Sequence, residues 1–188
     1  QKLNTLFNGL HTFIILWATQ GFSALGSSMT SYALVIWAYQ QEGSALASSL
    51  LTVCSYAPYV LLSIFAGALS DRWNKKLTML VCDSFAALCT LSVLALLATR
   101  RLELWHLYVV NALSGLGNTL QQPASDVAVS LLTPREQYQK AAGMRAFSNS
   151  LVTILAPVFA TALLSAFGIY TVIAFDLLTF TAAFLSLA

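Results

Sequence analysis

The chain has 188 residues, of which 58% are hydrophobic and only 9% charged, with a formal net charge of +2. A soluble domain carries about a quarter charged residues, so polar groups cannot cover this surface and lipid must cover much of it. So small a net charge leaves no footprint for nucleic acid. No HExxH, no GxSxG and no His or Cys cluster appears, which argues against an enzyme and calls for no cofactor or metal.

A bilayer core of about 30 Å takes roughly 20 helical residues, and six apolar segments reach that length: 12–39, 45–70, 77–99, 105–131, 141–167 and 169–188. The expected fold is therefore an all-α membrane protein of six transmembrane helices. The first segment exceeds the roughly 7–15 residues of a signal-peptide core, so it is expected to be retained. The runs are continuous rather than alternating, against a β-barrel. Gln1 at one end and Ala188 inside an apolar run at the other give the expectation of a piece of a longer protein.

The breaks are QQEGS (40–44), DRWNKK (71–76), RRLEL (100–104), TPREQYQK (133–140) and a short turn at Gly168. Thr133 before Pro134 reads as an N-cap followed by proline at the first helical position. Cations set orientation. With the N-terminus inside, Lys2, Arg72, Lys75, Lys76, Arg135, Lys140 and Arg145 fall on the cytoplasmic side, and only Arg100 and Arg101 outside. Both ends of the segment are then cytoplasmic in a multi-pass protein of the cell membrane. Trp37 and Trp105 sit toward the outer interface and Trp73 at the inner one, where amphipathic rings prefer to lie.

Polar groups at membrane depth are costly unless paired or wetted. In the first span Gln20, Ser23, Ser27 and Ser31 share a face; in the fourth, Asn111, Gly115, Asn118, Gln122 and Ser125 do the same. The two stripes point to a shared wet cavity, the alternative being hydrogen bonds between packed helices. Asn149 of the fifth span joins Gln20, Ser27, Asn111 and Asn118 as a candidate cavity residue. Three acids lie at membrane depth: Asp83 and Asp126 toward the inside, and Asp176 deeper in the sixth span. Asp83 and Asp176 are candidate proton sites; the competing reading is a structural ion pair or helix-end role for Asp83, as for Asp126, and a hydrogen bond to a neighbouring helix for Asp176. They are 93 residues apart, close to the offset between spans one and four. That spacing suggests an inverted 3+3 repeat. Pro58, Pro123 and Pro157 interrupt spans two, four and five, where proline kinks a helix. Cys54, Cys82 and Cys89 read as small packing residues.

One stretch carries a motif. GALSDRWNKK (67–76) resembles the loop signature G-x-x-x-D-R-x-G-R-[RK] of the major facilitator superfamily: Gly67, Asp71, Arg72 and Lys76 match, while Asn74 replaces a glycine and Lys75 an arginine. Asparagine tolerates a left-handed backbone, which makes the first replacement mild. Gly67 would admit a close helix, and Asp71 would sit near a helix N-terminus. QQPASDVAVSLLTPREQYQKAAG and the first two spans are similar to the macrolide-efflux and enterobactin-exporter branch of that superfamily. The resemblance covers the whole chain. It implies the N-terminal six-helix half of a twelve-helix secondary transporter, with helices one and four lining the cavity. Proton-coupled efflux of a bulky hydrophobic drug, macrolide or siderophore by alternating access is what it implies for function. The partners are then that substrate, protons, lipid and a second six-helix half. Gly67, Asp71, Arg72, Lys75 and Lys76, with Asp126, would form a conformational latch. Two departures stand out. Asn111 occupies a position often held by arginine, which puts the usual proton coupling in doubt, and Ala156-Pro157 replaces a Gly-Pro pair. The competing readings are a membrane scaffold or interaction module without transport, or a half-transporter that works as a homodimer.

Overall fold

The computed structural model describes residues 2–187, with the side chains of 11–69, 71–131 and 133–187. The described chain is helical almost throughout, with six long helices: α1 (Lys2–Glu42), α2 (Ala45–Arg72), α3 (Lys75–Ala98), α4 (Leu104–Leu132), α5 (Tyr138–Phe167) and α6 (Ile169–Leu187). Pro58, Pro123 and Pro157 lie inside α2, α4 and α5, which continue past them.

Each break has a local cause. Ser44 caps α2 by accepting from the Ala47 amide at 3.3 Å. At the end of α3 the amides of Arg100 and Arg101 reach back to the carbonyls of Leu97 and Leu96, at 3.1 and 2.9 Å. This paired closure places Arg100 at φ 56°, a position usually held by glycine. Gly168 separates α5 from α6 at φ 85°, ψ 175°, a backbone region essentially reserved for glycine. The junction after α4 corrects the expectation for Thr133 and Pro134. Pro134 is extended (ψ 146°) and precedes a short 3-10 turn, Arg135–Gln137. Thr133 ends α4 instead of capping α5, and its buried hydroxyl makes no hydrogen bond.

Packing follows an exchange between the first three helices and the last three. α1 packs chiefly on α5 and α6, and α4 chiefly on α2 and α3. The registers correspond. On one side, Trp17 Nε1 donates to the Met144 carbonyl at 3.1 Å, and one turn on a Cβ at Gly21 would lie 3.0 Å from Ser148 Oγ. On the other, the Tyr108 hydroxyl donates to the Ala47 carbonyl at 2.8 Å and Asn111 Nδ2 to the Leu51 carbonyl at 3.5 Å. One turn further, a Cβ on Gly115 would run into the Ser55 carbonyl. Both pairs, α1 with α5 and α4 with α2, therefore run parallel, one turn against one turn. This is the packing an inverted pair of three-helix repeats produces.

Large apolar side chains cover the outside: Val60, Leu61, Ile64, Phe65, Phe167, Leu178 and Leu185 are each at least 70% exposed. So much exposed apolar surface needs lipid or a partner to cover it. Met29, Leu34, Leu51, Leu107, Val172 and Ile173 form the buried core. They gather where α1, α3 and α5 end and α2, α4 and α6 begin, tying the bundle at one end. Among the described residues, four helical segments are long and apolar enough to cross a membrane: Ala45–Leu69, Lys75–Ala98, Arg135–Phe167 and Ile169–Leu187. The six expected spans thus reduce to four on this measure. α1 and α4 have the length, at 41 and 29 residues, and fall short in composition, because these two carry the polar stripes.

Candidate functional site

The more buried of the two buried carboxylates is Asp176, 4% exposed near the middle of α6. Ser27 of α1 donates to its Oδ1 at 3.0 Å, and Thr90 of α3 to its Oδ2 at 3.4 Å. Thr30, one turn along from Ser27, faces the same carboxylate without closing a hydrogen bond. Gly26 makes this meeting possible, since a Cβ there would run into the Asp176 backbone and the Thr179 hydroxyl. One carboxylate thus joins three helices.

Asp83 of α3, 7% exposed, forms the second buried node. Gln121 of α4 donates to its Oδ1 at 2.5 Å. Gln20 of α1 approaches from another side, but Asp83 Oδ2 and Gln20 Nε2 both remain without a hydrogen bond. Each such buried group keeps its desolvation cost. Asp83 and Thr90 lie seven residues apart on one face of α3, so α3 carries both nodes.

The candidate cavity residues do not converge on one point. Gln20 belongs to the Asp83 node. Ser27 belongs to the Asp176 node and is also exposed. Asn111 is buried against the Leu51 carbonyl, 7% exposed, as an interhelical contact. Asn118 on α4 and Asn149 on α5 are exposed. The stripes thus split. Asn111 and Gly115 make the tight α2–α4 contact, whereas Ser27 and Ser31 on α1 and Asn118 and Gln122 on α4 remain on open surface. Near Gln122, a groove of about 180 Å³ runs between α2 and α4, lined by Tyr59, Ser63, Thr119, Pro123 and Asp126.

The charged loop corrects three local expectations. Asn74 is not left-handed; at φ −66° it caps α3, accepting from the Leu77 amide at 3.2 Å. Asp71 sits in the last turn of α2 rather than at a helix start, where the helix dipole by itself disfavours a carboxylate. A Cβ on Gly67 would meet nothing within 4 Å, so no helix approaches it here. Lys75, the first residue of α3, donates to the Asp71 and Trp73 carbonyls at 3.1 and 3.0 Å. It thereby satisfies carbonyls that the end of α2 leaves open. The two positions that depart from the signature, Asn74 and Lys75, thus fasten the two helix ends together. Arg72 and Lys76 are exposed beside them. Asp126 pairs with Arg145 of α5.

Gln121 and Thr90 were not singled out by sequence, and Arg145 only as a cytoplasmic cation. Thr90 carried a signal in its seven-residue spacing from Asp83. Gln121 and Arg145 carried none beyond being polar near a membrane boundary.

A bundle with an apolar exterior, buried carboxylates and two polar-striped helices defines a multi-pass membrane protein. The family model described as Major Facilitator Superfamily matches residues 16–188, and the chain belongs to that superfamily. It is 29% identical to macrolide efflux protein A of Streptococcus pyogenes over 167 residues, 88% of this chain and 41% of that protein. It is 31% identical to macrolide efflux protein A of Enterococcus faecalis over 137 residues, 72% of this chain and 42% of that protein. It is 29% identical to the uncharacterized MFS-type transporter YfiS of Bacillus subtilis over 168 residues, 89% and 39% of the two chains. The chain spans about two fifths of the length of these curated relatives. The family points to transport of a small molecule across a membrane rather than to an enzyme.

Proposed function

We propose that this chain is the N-terminal six-helix half of a twelve-helix secondary transporter. It exports a bulky, largely apolar compound of the macrolide, drug or siderophore kind by alternating access, with protons as the coupling ion. All six helices cross the plasma membrane, with the α2–α3 and α4–α5 loops cytoplasmic. The observation that carries this reading is the exposed polar surface of α1 and α4. Ser27, Ser31, Asn118 and Gln122 stand open at mid-helix, where lipid cannot solvate them and a water-filled pathway can. The two helices that fall short of crossing by composition are the same two, as expected of cavity-lining members. The names of the relatives support the substrate class.

In this mechanism the second half closes over α1 and α4, and the two halves rock about a site near the midplane. Asn118 and Asn149 meet substrate or water. Asn111 holds α4 to α2, and Gln20 sits beside Asp83; both take part indirectly. Asp176, held by hydroxyls alone, is the candidate proton carrier, with Asp83 second. Gly67, Asp71, Arg72, Lys75 and Lys76 act as a cytoplasmic latch against the second half, and Asp126 with Arg145 braces the α4–α5 end beside it.

The test is accumulation of labelled macrolides and siderophores in cells with and without the full-length protein, with and without a protonophore. Lower accumulation that the protonophore reverses is the expected result. Accumulation unchanged by the protein for every compound would overturn the reading. Export that survives the protonophore would remove the proton.

A further inference from the structure

Far from the buried carboxylates, an opening lies where α1 ends and α4 begins. It is a cavity of about 550 Å³, with Trp37 and Glu42 from α1, and Glu103, Trp105 and Tyr108 from the start of α4, in its wall. Small-molecule sites occupy about 300–1,000 Å³, so the size suits an organic ligand. None of these residues belongs to the polar seam or the charged loop.

The wall is held in place by its own bonds. Trp105 Nε1 donates to Glu103 Oε2 at 2.7 Å, and the indole stacks on His106 with ring centres 3.8 Å apart. His106 Nδ1 in turn accepts from the Glu103 amide at 3.2 Å. The Tyr108 hydroxyl is tied to the Ala47 carbonyl of α2 at 2.8 Å. The aromatic faces are therefore oriented before any ligand arrives, which lowers the ordering cost of binding.

The charges are one-signed. Glu42 and Glu103 are in the wall, while the cations of this end, Arg100 and Arg101, lie exposed in the preceding turn and contribute nothing to it. Aromatic faces attract a cation through their quadrupoles, by about 0.5–2 kcal/mol, and two carboxylates add a counter-charge. An anion finds no cation in the wall, and a neutral amphiphile gains the aromatic wall alone.

We infer that this cavity binds amphiphilic organic cations, with Trp37, Trp105 and Tyr108 supplying the faces and Glu42 and Glu103 the counter-charge. The site goes beyond the transport reading, because binding here requires no translocation. It lies at the opposite end of the bundle from the charged loop, where a transported compound would leave or a cation from that side would arrive.

The test uses the full-length protein in lipid nanodiscs, with tetraphenylphosphonium and neutral triphenylphosphine oxide as probes in equilibrium dialysis. In the unmodified protein the cation binds more tightly than the neutral probe, and the gap narrows as salt rises. In the double variant Glu42→Gln, Glu103→Gln the glutamine oxygen still accepts from the Trp105 indole. The cation is expected to weaken by about tenfold there, with the neutral probe unchanged. Equal affinity of the two probes in the unmodified protein would overturn the proposal, and that measurement needs no variant. So would a double variant that binds the cation as tightly as the parent, or that loses both probes alike.

Discussion

Ser27 of α1 and Asp176 of α6, 149 residues apart in sequence, meet through a 3.0 Å hydrogen bond to a carboxylate that is 4% exposed. The bond lets one variant separate two roles. Asp176→Asn retains one oxygen that accepts from Ser27, while Thr90 keeps the Ala86 carbonyl at 3.2 Å as its acceptor, so the bundle is expected to purify intact. It removes the ionisable group, so pH-driven uptake into inverted vesicles is expected to vanish while substrate exchange persists. Asp176→Leu takes away the acceptor of Ser27 and leaves Thr90 only the Ala86 carbonyl, and is expected to cost about 1–3 kcal/mol of stability. Full pH-driven uptake by the asparagine variant would remove Asp176 as the carrier.

Three glycines make a graded test of helix contact. Gly26→Ala and Gly115→Ala place a methyl against backbone, of α6 and α2 respectively, and overpacking of this kind costs about 1–3 kcal/mol. Gly67→Ala meets open space inside α2, where alanine favours the helix by about 0.5–1 kcal/mol. Thermal unfolding in detergent, followed by a thiol dye reaching the buried Cys82 and Cys89, should rank them in that order. If Gly67→Ala is stable yet fails to export, Gly67 packs closely only in another state, as a latch residue would.

Gly168 tests backbone alone. No neighbour lies within 4 Å of a Cβ there, but φ is 85°. Gly168→Ala is therefore expected to destabilise by about 1–3 kcal/mol through strain without a clash. An unchanged midpoint in the same thermal assay would show that the turn relaxes.

The Asp126–Arg145 pair is half open, with side chains 61% and 25% exposed. Exposed pairs are worth about 0.2–1 kcal/mol, so a double-mutant cycle should give a coupling in that range. Asp71→Asn, in contrast, should leave stability unchanged and cut efflux; unaltered efflux would dismiss the latch.

The six helices were legible because charged breaks, and at Gly168 a glycine, separate long apolar runs. The run 77–99, for instance, became Lys75–Ala98. The buried acids were legible too, since a carboxylate at that depth has few places to go. Their partners were not. A stripe at helical spacing looks the same whether it faces water or a close neighbour, and α4 does both along one stripe. Asn111 and Gly115 lie against α2, whereas Asn118 and Gln122 stay open. A glycine beside a polar residue was the available signal for the packed part. The roles of Asn74 and Lys75 were hidden for another reason. Comparison with a motif asks which residue is missing, whereas the turn uses the replacements themselves as caps.

The exchange of partners between the two helix triplets bears on how the chain enters the membrane during synthesis. When α3 is laid down, Asp83 has no α4 to supply Gln121, and α1 waits for the whole of α5 and α6 before its main neighbours exist. The nascent first triplet is therefore an unfinished object in the bilayer. Its acid must stay protonated, hydrated or held by an insertion factor until the ribosome has delivered the rest.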